Sequence, residues 1–358
     1  MLSKKTTDSA NTASGASRAS VAVKTQRKTL ERVLGRDISP HASDPNGWTD
    51  LHYAALMDLD AVVRFLLAAG ADVNARMHDD ERTITKALAS RLDKIAGGIW
   101  SQLERIGSTP LHIAVWKNAN KVLALLLNSG ADAGAKTKNG IAPLHYAALT
   151  NASNVAGLLL DYGADVDAKN KDGKTPLHFA ARGNADKAAS LLLDNGADIA
   201  AKANNGDTAL HIAVSNNMES VVKVLLKRDA GVSVESPAGR TLLHAAAMSN
   251  AENSAALLLK NGADARATDS LNATPLHIAA RHNAAKVAAL LLKNGAGVEA
   301  KAENGYTPLH EAAWHDADKV TALLLDNGSD VRAKDNCGKT PLDLAREGGH
   351  IDIISILE

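Results

Sequence analysis

The chain has 358 residues, of which 45% are hydrophobic but only 3% aromatic, and its 40 basic residues balance 40 acidic ones. Zero net charge gives the whole molecule no electrostatic reason to bind nucleic acid or anionic membranes, and the single cysteine, Cys337, excludes an internal disulfide and favours a reducing compartment. No apolar run approaches the ~18 residues of a membrane span and no signal peptide is recognisable, so we expect a soluble, cytoplasmic protein that is not Sec-exported.

Residues 1–43 are rich in Ser, Thr and Ala and carry eight basic and three acidic residues. This composition favours a solvated, disordered tail. Apolar residues at helical spacing occur near its end, at Val23, Leu30, Val33 and Leu34. A capping helix over about 21–34 is therefore an alternative, as are a targeting or secretion signal and a basic arm for an acidic surface.

From residue 44 onward the sequence repeats. Eight of the thirteen histidines share one register, and the last seven are 33 residues apart: His52, His112, His145, His178, His211, His244, His277 and His310. The position 33 residues after His310 is occupied by Asp343. At these nine marker positions, leucine always precedes the marker and alanine always stands two residues after it.

The segments around the markers, such as Thr175-Pro176-Leu177-His178, carry a known signature. They resemble the ankyrin repeat, whose period is 33 and whose motif contains T-P-L-H-x-A. The resemblance covers about residues 44–358 and implies an all-α solenoid of stacked helix-turn-helix units with β-turn fingers. It places repeat 1 at 44–77, repeats 2–8 at 107–337 and a C-terminal capping repeat at 338–358.

Single positions of the repeat have physical reasons of their own. Threonine followed by proline favours a helix start, because the hydroxyl caps free amides and proline at the first turn loses no hydrogen bond. Six residues after each marker stands Asn, Asp or Gly, which tolerates the left-handed backbone of a helix end. Asp229 replaces a glycine eighteen residues after a marker, so we expect strain there, whereas Asn272 replaces a finger glycine and fits a positive φ.

The register histidines are too numerous to be active sites. The resemblance implies instead that each imidazole bonds the threonine and backbone of neighbouring repeats, which suits a buried polar group. The other histidines show no metal-ligand spacing with Cys, Asp or Glu. We therefore expect no metal site, no cofactor and no small-molecule substrate.

Residues 78–106 interrupt the period, because His52 and His112 are 60 residues apart, 27 more than one repeat. Apolar residues follow three- and four-residue steps, at Ile84, Leu88, Leu92, Ile95, Ile99, Leu103 and Ile106. This spacing predicts amphipathic helix. We favour a degenerate repeat within the stack, with Ala87 at the alanine position; a helical elaboration on the first finger is the alternative, and would be a binding element.

The last repeat differs from the others. Asp343 replaces the marker histidine, and we expect the final helix to bury Ile351, Ile354 and Leu357 while Asp352 and Glu358 face water. A polar outer face is what a terminal capping repeat needs.

The resemblance implies that the variable residues of each repeat face a concave surface. They are the residue just before the threonine that starts the first helix, and the two residues that follow the alanines of that helix. Three of the four tryptophans occupy these positions, and exposed tryptophan often anchors interfaces. The candidate partner-binding residues are Trp48, Leu56, Met57, Trp116, Lys117, Leu149, Lys174, Arg182, Arg240, Met248, Arg281, His282, Tyr306, Trp314 and His315. Their order suggests two apolar ends and a basic centre, suited to an extended segment or helix with acidic residues in its middle.

The sequence thus predicts a monomeric, non-enzymatic scaffold or adaptor that binds one or more proteins. No Gly-rich phosphate loop, spaced nucleophile and base, or metal cluster supports an enzyme. Binding of nucleic acid or a membrane surface through the basic tail is an alternative, and so is a bacterial effector delivered into a host cytosol. The sequence does not separate a host-directed effector from an endogenous adaptor.

Overall fold

The computed structural model describes residues 8–78, 107–231 and 238–358. Within these ranges the chain forms nineteen helices and no strand, apart from one isolated bridge between Ser43 and Thr49. The described chain divides into two compact units, Met1–Lys171 and Asp172–Glu358. The helix-turn-helix solenoid predicted from the repeat is confirmed.

The first unit contains seven described helices. Their bounds are α1 Asp8–Leu34, α2 Asp50–Leu56, α3 Asp60–Ala68, α4 Pro110–Trp116, α5 Asn120–Asn128, α6 Pro143–Leu149 and α7 Ser153–Asp161. First helices pack on first helices (α2 on α4, α4 on α6), and second helices pack on second helices (α3 on α5, α5 on α7).

The second unit contains the remaining twelve. They are α8 Pro176–Arg182, α9 Asp186–Asp194, α10 Ala209–Ser215, α11 Glu219–Lys227, α12 Leu242–Met248, α13 Glu252–Lys260, α14 Pro275–Arg281, α15 Ala285–Lys293, α16 Pro308–Trp314, α17 Asp318–Asp326, α18 Pro341–Gly348 and α19 Ile351–Leu357. The same two layers recur, because first helices stack from α8 to α18 and second helices from α9 to α19.

The turn between the two helices of a repeat adopts the predicted left-handed backbone. The Asn or Asp there has φ between 49° and 56° in eight repeats, and Gly349 has φ 70° in the last. Asparagine also has a second role, because its side-chain oxygen accepts an N–H at the start of the next second helix. Asn217 accepts from Ser254 at 3.2 Å, and Asn283 from Val320 at 3.3 Å. These helices have no side-chain cap of their own, so the repeat before supplies one.

Helix α1 does for the first repeat what a preceding repeat would do. It packs on α3, Leu30 is fully buried, and the side-chain oxygen of Gln26 accepts the N–H groups of Ala61 (2.9 Å) and Val62 (3.4 Å). Val62 holds the register position of Ser254 and Val320. In the described residues, this packing favours the capping-helix alternative over the disordered tail predicted for 1–43.

The first two full repeats are direct neighbours. Helix α2 packs on α4, and His52 Nε2 donates to the Ser108 carbonyl at 3.3 Å. The favoured prediction of a degenerate repeat over 78–106 stays a prediction. The helix predicted over 78–106 lies almost wholly outside the described residues.

The interruption begins and ends within the first finger. Met77 N–H donates to the Ser108 carbonyl (3.0 Å), and Gly107 N–H donates to the Met77 carbonyl (2.7 Å). In the next finger, Thr137 pairs in the same way with Ile141 and Gly140, at 2.9 Å each. The chain thus leaves and re-enters at one ordinary β-turn, as the alternative of a finger insertion requires.

The two residues that replace glycine, Asp229 and Asn272, keep the left-handed backbone, with φ of 61° and 56°.

The last helix buries a different face from the one expected. In α19, Ile353 and Leu357 are buried, whereas Ile351 is 78% exposed. The predicted buried face of this helix is therefore wrong at Ile351.

Candidate partner-binding surface

The register histidines are committed to the scaffold. In the first unit, His112 Nδ1 accepts the Thr109 N–H at 3.1 Å, and its Nε2 donates to the Ile141 carbonyl of the next repeat at 3.1 Å. In the second unit, His178, His244, His277 and His310 each reach the carbonyl 29 residues ahead, at 2.9–3.1 Å. The structural role implied for these histidines is confirmed.

Burial keeps these imidazoles neutral. Desolvation lowers the pKa of His52 to about 3 and that of His112 to about 4. The geometry requires the neutral form, because Nδ1 must be free of hydrogen to accept the threonine N–H while Nε2 keeps its hydrogen for the carbonyl. A residue fixed in this way cannot serve as an acid or base near neutral pH.

One register histidine lacks its second bond. His211 Nδ1 accepts the Thr208 N–H at 3.3 Å, but its buried Nε2 has no hydrogen-bond partner in the part of the chain that the structure describes. A buried polar atom without a partner costs stability. The junction that follows His211 is therefore weaker by one inter-repeat bond.

Two candidate residues of the first unit are not on the surface. Trp48 is 1% exposed and packs its ring against His52 and Tyr53, with centroids 5.6 and 5.0 Å apart. Leu56 is 4% exposed. Their expected contact with a partner is wrong, because neither side chain is accessible; both are core residues of repeat 1.

The remaining candidates of the first unit are half-buried: Met57, Trp116, Lys117 and Leu149. Trp116 meets Tyr146 edge-on, with ring centroids 5.2 Å apart and planes at 90°. The indole therefore serves the packing of α4 on α6 as well as the surface.

Candidates of the second unit are more exposed. Met248 and Trp314 are 44% and 43% exposed at the ends of α12 and α16, and Arg182, His282 and His315 are also exposed. Lys174, Arg240, Arg281 and Tyr306 are half-buried, with Tyr306 stacked on His310 at 5.4 Å. Large apolar side chains are thus presented to solvent at first-helix ends.

The arginines of this unit are less available for an acidic partner than the sequence suggests. Arg281 donates twice to Glu311, from Nε to Oε2 at 3.0 Å and from Nη2 to Oε1 at 2.7 Å. Arg240 lies 3.5 Å from Asp269. Both carboxylates are almost fully buried, so the positive charge of each arginine is matched within the fold.

Glu311 is a functional candidate that was not predicted from the sequence. The sequence marks it as an exception, because the residue after the marker is apolar in the eight other repeats: Tyr53, Ile113, Tyr146, Phe179, Ile212, Ala245, Ile278 and Leu344. Glu311 is 3% exposed, and its carboxylate lies 2.7 Å from Arg281 Nη2 and 3.5 Å from His315 Nε2. Burial lowers the pKa of His315, with the Glu311 charge opposing this shift.

The described residues offer neither a membrane span nor a metal site. None of their helices is long and apolar enough to cross a membrane. Between 8 and 78, 107 and 231, and 238 and 358, no three His, Cys, Asp or Glu side chains cluster so as to hold a metal ion.

Family models match most of the chain. The model for ankyrin repeats in three copies matches residues 111–203, 199–269 and 261–335, and the single ankyrin-repeat model matches 46–78. The chain belongs to the ankyrin-repeat family. Ankyrin-repeat proteins are typically interaction modules without enzymatic activity, which supports a role in protein–protein interaction.

A curated relative matches a shorter stretch. Over 114 residues the ankyrin-repeat chain is 32% identical to a Bos taurus protein described as a mitochondrial disaggregase. The match covers 29% of this chain and 16% of the relative. Because so little of the relative is matched, its described activity remains a statement about that protein.

Proposed function

We propose that this ankyrin-repeat protein is a non-enzymatic scaffold or adaptor that binds a partner protein across its first-helix ends and fingers. The observation that carries the proposal is the exposure of Trp314, 43%, at the end of α16. Tryptophan is among the residues that contribute most to interfaces when a partner desolvates it. Met248, 44% exposed at the end of α12 in the same unit, has the same position in its repeat.

The scaffold residues support the proposal by exclusion. Register histidines, caps and leucines are used in stacking, so partner recognition must use surface residues outside these positions, such as those at the first-helix ends and fingers. A cytosolic setting, a monomeric state and delivery into a host cell stay predictions from the sequence.

The basic N-terminal segment offers weaker support for binding nucleic acid or a membrane. Arg27 pairs with Glu31 at 2.7 Å and lies 5.4 Å from the Phe65 ring centroid. Arg36 donates to buried Asp50 at 2.6 and 3.0 Å. Two of the cations counted for this alternative are therefore engaged within the first unit.

The test compares Trp314→Ala with a matched control. Immobilised wild-type chain captures proteins from its native cell, and the partner that it retains at equal stoichiometry is identified by mass spectrometry and then purified. Trp314→Ala should weaken binding of that partner by about 2 kcal/mol or more. Tyr162→Ala, which removes an aromatic residue of similar exposure (42%) from the end of a second helix, should not.

The two variants distinguish specific binding at this surface from nonspecific apolar association. Equal weakening by both substitutions would indicate loss of a nonspecific apolar contact. Unchanged binding of the purified partner to Trp314→Ala would refute the proposed surface. A parallel substitution, Trp116→Ala, should weaken binding and also lower stability, because Trp116 packs on Tyr146.

A further inference from the structure

A small cleft lies in the second unit between three fingers and two first helices. Its volume is about 250 Å³, and apolar residues from two of the fingers and from α14 line part of it: Leu271, Ala273, Ile278 and Ala302. Sites for small molecules usually have roughly 300–1,000 Å³. The cleft is therefore closer in size to one large side chain than to a cofactor or metabolite.

Two residues at the cleft depart from the repeat. Glu311 occupies a position that is apolar in the eight other repeats, and Leu271 stands at a finger tip where four of the eight other repeats have asparagine: Asn46, Asn139, Asn205 and Asn304. Leu271 is 55% exposed, an unfavourable position for leucine at a turn. Departures from local rules concentrate at functional sites, and here two of them line the same cleft.

Glu311 holds Arg281 in a fixed orientation. The two hydrogen bonds of 2.7 and 3.0 Å fix the plane of the guanidinium group, while 36% of the Arg281 side chain remains exposed. Arg240, 38% exposed and 3.5 Å from Asp269, also lines the cleft. An arginine whose edge is bound by a carboxylate still offers the face of its planar group for stacking on an aromatic ring.

The charges at the cleft disfavour an acidic occupant. Two arginines, Arg240 and Arg281, face three carboxylates, Asp269, Glu303 and Glu311. An acidic side chain would meet a net negative surface, and a basic one could pair only with the exposed Glu303, because the buried carboxylates of Asp269 and Glu311 are already paired with arginine. An uncharged side chain with a π-face fits both the apolar lining and the guanidinium faces.

We propose that this cleft binds one aromatic side chain from an extended segment of the partner protein. The ring lies against Ile278 and Leu271 and stacks on the guanidinium face of Arg281. This inference rests on the proposed function, since it names the part of a partner that the second unit recognises. It also replaces the acidic partner suggested by the sequence with an aromatic one.

The test uses N-acetyl-tryptophanamide as the probe and N-acetyl-leucinamide as its apolar counterpart. Each is titrated into the full chain carrying labelled Ile and Leu methyl groups, and the Ile278 and Leu271 signals are followed by NMR. Both signals should shift saturably with the tryptophan probe, which should bind about fivefold more tightly than the leucine probe. Equal affinities would overturn the stacking on arginine, and the absence of saturable shifts at both residues would overturn the cleft.

Variants assign the binding to named side chains. The double variant Arg281→Ala/Glu311→Leu removes the stacking surface without leaving a buried charge unpaired, so the preference for the tryptophan probe should vanish. Leu271→Asn introduces the residue of four other fingers and should weaken binding about threefold by removing apolar contact. Arg182→Ala, at the position of Arg281 in another repeat, should leave the titration unchanged, and a loss there would also overturn the assignment.

Failure of this inference is distinct from failure of the proposed function. If Trp314→Ala releases the partner but the tryptophan probe leaves Ile278 and Leu271 unshifted, the cleft is wrong and partner binding stands. If the probe saturates the cleft but Trp314→Ala binds the partner as the wild type does, the cleft stands and the proposed surface is wrong.

Discussion

The buried marker histidines make stability depend on pH. Burial lowers the pKa of His52 from its ordinary value of 6.5 to about 3 in the folded chain. Between these values the unfolded chain binds a proton that the folded chain excludes. The stability that neutral His52 contributes is therefore fully present above pH 6.5 and is lost progressively as the pH falls toward 3.

Substitution of His52 tests this dependence. From about pH 6.5 to about pH 5, where carboxylates remain mostly ionised, each such histidine should lower the free energy of unfolding by up to about 1.4 kcal/mol per pH unit. His52→Gln should be less stable than wild type at pH 7 and show a shallower pH dependence in urea unfolding. Val62→Ala, which truncates a fully buried side chain, should lose stability but keep the wild-type slope; an equally shallow slope there would contradict the assignment.

Single residues also mark what the sequence could and could not predict. The left-handed turns at Asn and Asp followed from side-chain chemistry alone. The burial of Trp48 did not follow, because its position varies from repeat to repeat, and only its contacts with His52 and Tyr53 show that repeat 1 uses it as core. The role of Glu311 did not follow either, because it stands at a position that is apolar in the other repeats and not at one of the variable positions.

At the scale of elements, α1 shows how one helix can substitute for a repeat. Three interactions hold it to α3: the buried side chain of Leu30, the cap formed by Gln26, and the cation–π contact of Arg27 with Phe65. The sequence indicated the apolar spacing of this helix, but composition favoured a disordered tail. The composition of residues 1–43 does not indicate this contact, because three individual side chains, and not the average polarity of the segment, hold α1 against α3.

Gln26→Ala should destabilise the start of α3. The substitution removes the acceptor of the Ala61 and Val62 N–H groups and the 3.0 Å donation to Asp60, and loss of a helix cap typically costs about 1 kcal/mol. Hydrogen exchange at Ala61 and Val62 should accelerate about fivefold, the factor that corresponds to this free energy. Lys28→Ala, an exposed site on the same helix, should leave these rates unchanged; equal acceleration would indicate a general loss of helix α1.

On the scale of the whole molecule, the stack tolerates a long interruption because each repeat contacts only its neighbours. The period of 33 predicted the number and order of the repeats, and it also revealed 27 extra residues. The spacing placed them at 78–106 but did not decide between a degenerate repeat and an elaboration of the first finger. The degenerate repeat rests on burying an apolar stripe, whereas the direct contacts of α2 with α4 and of His52 with Ser108 favour an insertion in the finger.

Replacement of residues 79–106 by a single asparagine tests this arrangement. The new finger would read Met77-His78-Asn-Gly107-Ser108, which matches Thr137-Lys138-Asn139-Gly140-Ile141 in the next finger. The glycine of this turn is required, because Gly140 has φ 79° and a Cβ there would come 3.0–3.2 Å from the backbone of Asn170 and Lys171. Because the turn bonds of Met77 with Gly107 and Ser108 already exist, we expect the short finger to keep them, and the shorter connection lowers the entropy cost of closing the turn by about 2 kcal/mol. Urea unfolding followed by tryptophan fluorescence should therefore show a higher midpoint. A lower midpoint, with Gln26 and His52 variants behaving as predicted, would show that the interruption stabilises the stack and does not merely extend its first finger.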